Sequence, residues 1–155
     1  MACHIEIQSD IDVPESVNEA LVAAVSCTLS LQSYPPVSVT LLLTDDLRIQ
    51  RLNRDFRGIN LPTDVLSFPA GEPMAGSQAE APYLGDIAIA LPYARKQAEA
   101  GEHTLVAELQ LLAVHGVLHL IGYDHIVPNE KTQMWSLQQQ ILTQLGLPLI
   151  VPTEN

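Results

Sequence analysis

His115-Gly-Val-Leu-His119-Leu-Ile-Gly122-Tyr-Asp-His125 closes the most apolar long run of the chain, which begins near Leu105. Two histidines four residues apart lie one turn apart on one face of a helix. Gly122 can end that helix in a left-handed conformation and turn the chain back, which would bring His125 round to face the pair. Three imidazoles converging from a helix and the turn after it make a three-ligand zinc site, with a fourth position left for water. A lone histidine on an apolar helix is ordinarily a hydrogen-bonded core residue. Three of the chain's five, with a glycine at the hinge, satisfy both the helix period and the turn that tetrahedral coordination needs. The expected metal ligands are therefore His115, His119 and His125, holding one Zn2+ per chain. Imidazole sets of this kind also accept nickel, copper and iron.

The spacing of the histidines and the glycine is that of the zinc-protease pattern H-E-x-x-H-x-x-G-x-x-H. One position departs from it: where the protease carries its general-base glutamate, this chain has Gly116. Without that carboxylate the site lacks the group that takes a proton from water during peptide hydrolysis. Asp124, between two site residues, is a candidate for orienting a ligand from behind. Met134 lies where such proteases carry a methionine-containing turn, but a methionine on a helix is more simply core.

At this stretch a family resemblance becomes specific. HGVLHLIGYDH resembles the H-G-x-L-H-L-x-G-Y-D-H motif of the YbeY family, bacterial zinc-dependent endoribonucleases linked to ribosomal RNA maturation. Arg57-Gly-Ile-Asn-Leu-Pro-Thr-Asp-Val-Leu-Ser-Phe-Pro69 resembles that family's R-G-x-x-x-P-T-D-V-L-S-F-P, and Leu84-Gly-Asp-Ile-Ala-Ile89 its G-D-I strand. The similarity runs in order from about Val37 to Leu147, with the N-terminal third matching in pattern alone. It implies a metzincin-like α+β fold, a catalytic role for Arg57, and single-stranded ribosomal RNA as substrate. It also implies work in 16S rRNA 3′-end maturation and ribosome quality control, with the ribosome or ribosomal proteins as partners.

His4–Gln8 alternates as a first strand, and Val37–Leu43 is β-branched and apolar enough for the middle of a sheet. Val65–Phe68 and Leu84–Ala90 supply two more. Pro14-Glu15, Pro92 and Pro128 each open a helix, as proline at the first position does. Thr44 is the expected N-cap of another, in which Leu47, Leu52 and Phe56 would face the core. Pro69 to Pro82 reads as a surface loop. Without a regular strand–helix–strand repeat, the expectation is one α+β domain over residues 1–155: a small mixed four-stranded sheet, flanked by helices, with the metal helix on one face.

The net charge is −11, an awkward balance for a protein that meets phosphates. Four of only seven basic residues, Arg48, Arg51, Arg54 and Arg57, recur at three-residue intervals. On a helix this gives a slowly rotating stripe that could make one edge locally positive. A solvated helix face would look the same. Cys3 and Cys27 form no CxxC pair and suit a reducing cytosol as small buried hydrophobes. No basic-then-apolar leader is visible, and Leu105–Ile121 is too interrupted for a membrane span, so a cytoplasmic protein with no membrane partner is expected.

Zinc on neutral imidazoles would activate water and polarise a phosphoryl oxygen, and a guanidinium would offset the charge that gathers on phosphorus. Arg57 is the candidate for that role; Arg51, Arg54 and Ser67 are candidates for touching substrate. Asp64, Asp86 and Asp124 leave the general base open. The reading is a zinc-dependent, single-strand-directed endoribonuclease. Two alternatives stand beside it: a zinc metallopeptidase that finds its base elsewhere, and a ribosome-associated assembly or binding factor whose zinc is mostly structural.

Overall fold

A computed structural model describes residues 3–70, 82–123 and 127–147. Its chain order is β1 (His4–Ser9), α1 (Glu15–Leu31), β2 (Ser38–Thr44), α2 (Asp46–Arg57), β3 (Val65–Pro69), β4 (Tyr83–Ala90), α3 (Leu91–Ala100), α4 (Leu105–Leu120) and α5 (Pro128–Gln144). The four strands form one sheet in the order β1-β2-β4-β3. β1 and β4 run parallel to β2, whereas β3 runs antiparallel to β4. This is the mixed four-stranded α+β arrangement expected from the sequence.

The pleat divides the sheet into two faces. Val39, Leu41 and Leu43 of β2, with Ile87 and Ile89 of β4, join α1 and α4 in the main core. Leu66, Ala88 and Ala90 point the other way, where Ile49 of α2 closes a much smaller apolar cluster. α4 is the centre of the main core: twelve of its sixteen residues are buried. It touches α1, α3, α5, β3 and β4. Thr104 caps it by accepting from the Ala107 N–H at 3.1 Å, and Gln110 fastens it to α1 through the Ala20 carbonyl at 2.9 Å.

α2 departs from expectation in two ways. Its cap is Asp45, which accepts from the Arg48 N–H at 2.8 Å. Thr44 ends β2 instead, and its hydroxyl donates to Asp10. Ile49 and Asn53 are its buried residues, while Leu47 and Phe56 are 56% and 69% exposed. The reason is geometric: a short helix lying on one corner of the sheet buries only a narrow strip, and its flanks stay outside.

Candidate metal centre

Past the first turn of α4, every residue is buried except His115 and His119. The helix is committed to the core on all sides but one, and the histidines occupy that side. Their Nε2 atoms face each other at 3.0 Å, with ring centroids 4.5 Å apart and planes at 80°. Two nitrogens ~2.0–2.1 Å from one tetrahedral ion lie about 3.3 Å apart, so the pair is spaced as two ligands of a single ion would be.

The orientation of His115 is set from behind. Its Nδ1 lies 2.6 Å from Oε1 of Gln138 on α5. An amide oxygen only accepts, so Nδ1 carries the proton and Nε2 presents its lone pair, which is the tautomer a metal needs. The Trp135 ring stands edge-on to the imidazole, centroids 5.7 Å apart. Gln138 is 1% exposed, and its amide nitrogen finds no acceptor among the described residues. A half-satisfied buried amide costs about 1–3 kcal/mol, so an apolar side chain would serve the core better. The glutamine is there for the histidine.

The helix ends as expected: Gly122, at φ 109°, takes the conformation open to glycine, and the Tyr123 N–H returns to the Leu118 carbonyl at 2.9 Å. His125 and Asp124 lie outside the described residues. Among those described, no group of three or more metal-ligating side chains occurs.

Gly116 has a physical reason that the motif alone does not give. A Cβ on it would meet Ile87 of β4, with Cγ2 at 2.8 Å and Cδ1 at 3.0 Å. The helix sits so close to the sheet that even a methyl group here would need Ile87 to shift, and the carboxylate of a protease would need far more. The closeness also lets the Ser67 hydroxyl donate to the Gly116 carbonyl at 3.3 Å. Ser67 is therefore tucked under α4 and buried.

Arg57, the last residue of α2, donates from Nη2 to the Ser67 carbonyl at 3.0 Å. The bonds from Ala90 N–H to Asp64 and from Ala70 N–H to Leu84 show that the even-numbered residues of β3 carry its pairing with β4. The Ser67 carbonyl thus faces the open edge of the sheet, and Arg57 caps it there. Ser67 links the two groups: its carbonyl holds the guanidinium and its hydroxyl holds the turn of α4 that carries His115.

The rest of the arginine stripe is not brought to this place. Arg54 pairs with Asp55 at 3.0 Å on the exposed flank of α2, and Arg51 lies exposed beside Asp45 and Asp55. Arg48 pairs with Asp10. Asp10 also accepts from Thr44, and these two bonds hold its carboxyl below the usual range. Asp86 projects from the sheet face opposite α4, bonded by the Tyr83 hydroxyl. Asp64 is buried and holds the entry to β3, accepting from the Val65 N–H at 2.8 Å and from Gln97 at 3.3 Å. Under it lies Glu108, 3% exposed, with His103 Nε2 at 3.3 Å. Burial pushes the Glu108 carboxyl up, against the opposing pull of His103. Met134 is fully buried core, and burial likewise raises the Cys27 thiol.

Sequence reasoning missed Gln138. A signal existed: it falls on the same helical stripe as Met134, Ile141 and Leu142, a polar residue in an apolar row.

Comparisons with known proteins give the family and the fold. The family described as Endoribonuclease YbeY matches residues 4–146. A protein named Endoribonuclease YbeY from Brevibacillus brevis is 40% identical over 154 residues, covering 93% of this chain and 94% of its own. A relative of the same name from Pelotomaculum thermopropionicum is 41% identical, covering 91% and 94%. The solution structure of TM1509 from Thermotoga maritima is similar in fold, with a TM-score of 0.58 at 24% identity over 92% of this chain and 91% of that one.

Proposed function

The chain belongs to the YbeY endoribonuclease family, and from that premise we propose that it is a zinc-dependent endoribonuclease acting on single-stranded ribosomal RNA. The observation that carries the metal half of this reading is the facing pair of Nε2 atoms, with His115 held in the ligating tautomer by Gln138. His115 and His119 would hold the ion, with His125 as the third ligand. When bound, zinc supplies a Lewis acid for a phosphoryl oxygen and lowers the pKa of water towards ~7.

The chain's own residues supply the rest. Arg57 spends one N–H on the Ser67 carbonyl and keeps others of its five for a phosphate oxygen. Fixed charge aimed at a phosphorus that gathers negative charge is the largest contribution a protein makes to such a step. Ser67 serves by position, since its hydroxyl is already donated to Gly116. Gly116 against Ile87 leaves no place for a protease base, which disfavours the peptidase reading.

Processing of the 16S 3′ end, ribosome quality control and a cytoplasmic location are part of the same proposal. Among the described residues no helix is long and apolar enough to cross a membrane. The charge of −11 favours a second reading alongside the first, docking to basic ribosomal proteins. Cleavage of a labelled single-stranded ribosomal RNA fragment tests the proposal, with metal content measured on every sample. Wild type should cut; His119→Ala and chelated wild type should not. Arg57→Ala should keep its metal and lose activity. Equal cutting by all four would mean a contaminating nuclease and would leave the assembly-factor reading.

A further inference from the structure

The chain has two phenylalanines, and they meet. Phe56 comes from the end of α2 and Phe68 from β3, with ring centroids 5.3 Å apart and planes at 62°. Phe68 packs on the small cluster of Ile49, Leu66, Ala88 and Ala90. Phe56 does not join that cluster and stays largely exposed, so covering it is not what holds the ring in place. The two rings border a cleft of about 650 Å3 on the sheet face away from α4, floored by Thr40, Leu42 and Ala88. Arg57 stands at it as a cation, and so does Arg48, whose charge is already paired with Asp10; Gln8 and Asp86 are the polar groups inside.

We propose that this cleft is a base-stacking subsite for single-stranded RNA, taking a nucleobase against Phe56 while Arg57 meets an adjoining phosphate. The proposal rests on the endoribonuclease reading. Every base offers a π-face to an exposed aromatic ring, and cations along the same groove track the backbone. The charge is arranged for that orientation. Arg57 lies at the open edge of β3, whereas Asp86 repels a phosphate from the interior and can accept from a base amino group. Because β3 separates the cleft from the histidines, the nucleotide bound here is a neighbour of the one cut. The subsite therefore holds the strand in place across the sheet edge.

The test is binding, by fluorescence anisotropy, of a short single-stranded oligoribonucleotide and of an abasic ribose-phosphate chain of the same length, with intactness checked on a gel. Wild type should prefer the base-bearing chain by about tenfold. Phe56→Leu, which keeps apolar bulk, should abolish that preference and leave abasic binding unchanged. Phe56→Trp should keep the preference, and its added indole should be quenched by the oligoribonucleotide beyond the background from Trp135. No preference in wild type, or an undiminished one in Phe56→Leu, overturns the subsite and leaves the face to a protein partner. If Phe56→Leu fails to fold, an unquenched Phe56→Trp overturns it instead. RNA cleavage by the same wild-type sample separates the two readings. Cutting without base preference removes the subsite alone, whereas neither cutting nor binding removes the endoribonuclease reading and the subsite with it.

Discussion

The two faces of the sheet are finished differently. Under α4, Leu41, Leu43, Ile87 and Ile89 are fully buried, and α1, α3 and α5 close round the same helix. On the other face a single two-sided helix covers one corner and leaves a cleft rimmed by an exposed aromatic ring. The difference matches what the proposed function would ask of each face. Imidazoles that share an ion must be held to a fraction of an ångström, so their helix is packed without slack. A polymer must be able to reach its contacts, so the second face is left open. Arg57 stands at the strand edge between them.

If the sealed face is as tight as it looks, its glycines should give the largest effects. A methyl group on Gly85, at φ 149°, would overlap the Phe68 carbonyl and lie 2.8 Å from Leu120. Gly85→Ala should therefore open the β3–β4 pairing and cost about 3 kcal/mol or more in urea unfolding. A cost below ~1 kcal/mol would mean that this face yields easily. Gly116→Ala should cost ~1–3 kcal/mol, because Ile87 is side chain and can give way. The penalty should shrink in an Ile87→Ala background, a coupling that a double-mutant cycle reads directly.

Gln138 carries the test to the two histidines. Gln138→Leu should fold at least as stably as wild type yet hold its metal ~10–100-fold more weakly, measured by competition with a chelator. Unchanged affinity would reduce Gln138 to packing. Glu108 tests the polar end of the sealed face. Its folded-state pKa is raised, so its contribution is fully present below the unfolded value and is lost as pH rises through the raised one. Glu108→Gln should then gain on wild type in melting temperature from mildly acidic to neutral pH, the difference closing towards low pH. The smallest effect belongs to the open face: Arg54→Ala, breaking an exposed pair with Asp55, should change stability by under ~0.5 kcal/mol.

Much of this was legible from local pattern. Most strands and helices start within a residue of where alternation or a proline says they should, because those signals act within a few residues; α2, capped by Asp45 and not Thr44, is the exception. Pro92 and Pro128 are examples, and Gly122 is the matching signal at a helix end. The histidine pair was legible for the same reason, being one helical turn. What stayed hidden depends on partners distant in sequence. Gly116 is explained only by Ile87 on a strand, Ser67 only by the helix above it, and the His115 tautomer only by Gln138. Phe56 misled because an apolar residue at helical spacing predicts burial only if something lies opposite it, and α2 overhangs the sheet.

His115 and the amide that orients it are separated by 23 residues. At synthesis rates of ~5–20 residues per second, a growing chain carries both histidines for a second or more before α5 exists to set one of them. The pair reaches its working orientation only when α5 has folded down. A chain of an endoribonuclease family would thus be assembled on an RNA machine with this pair unset until the helix beyond it has been made.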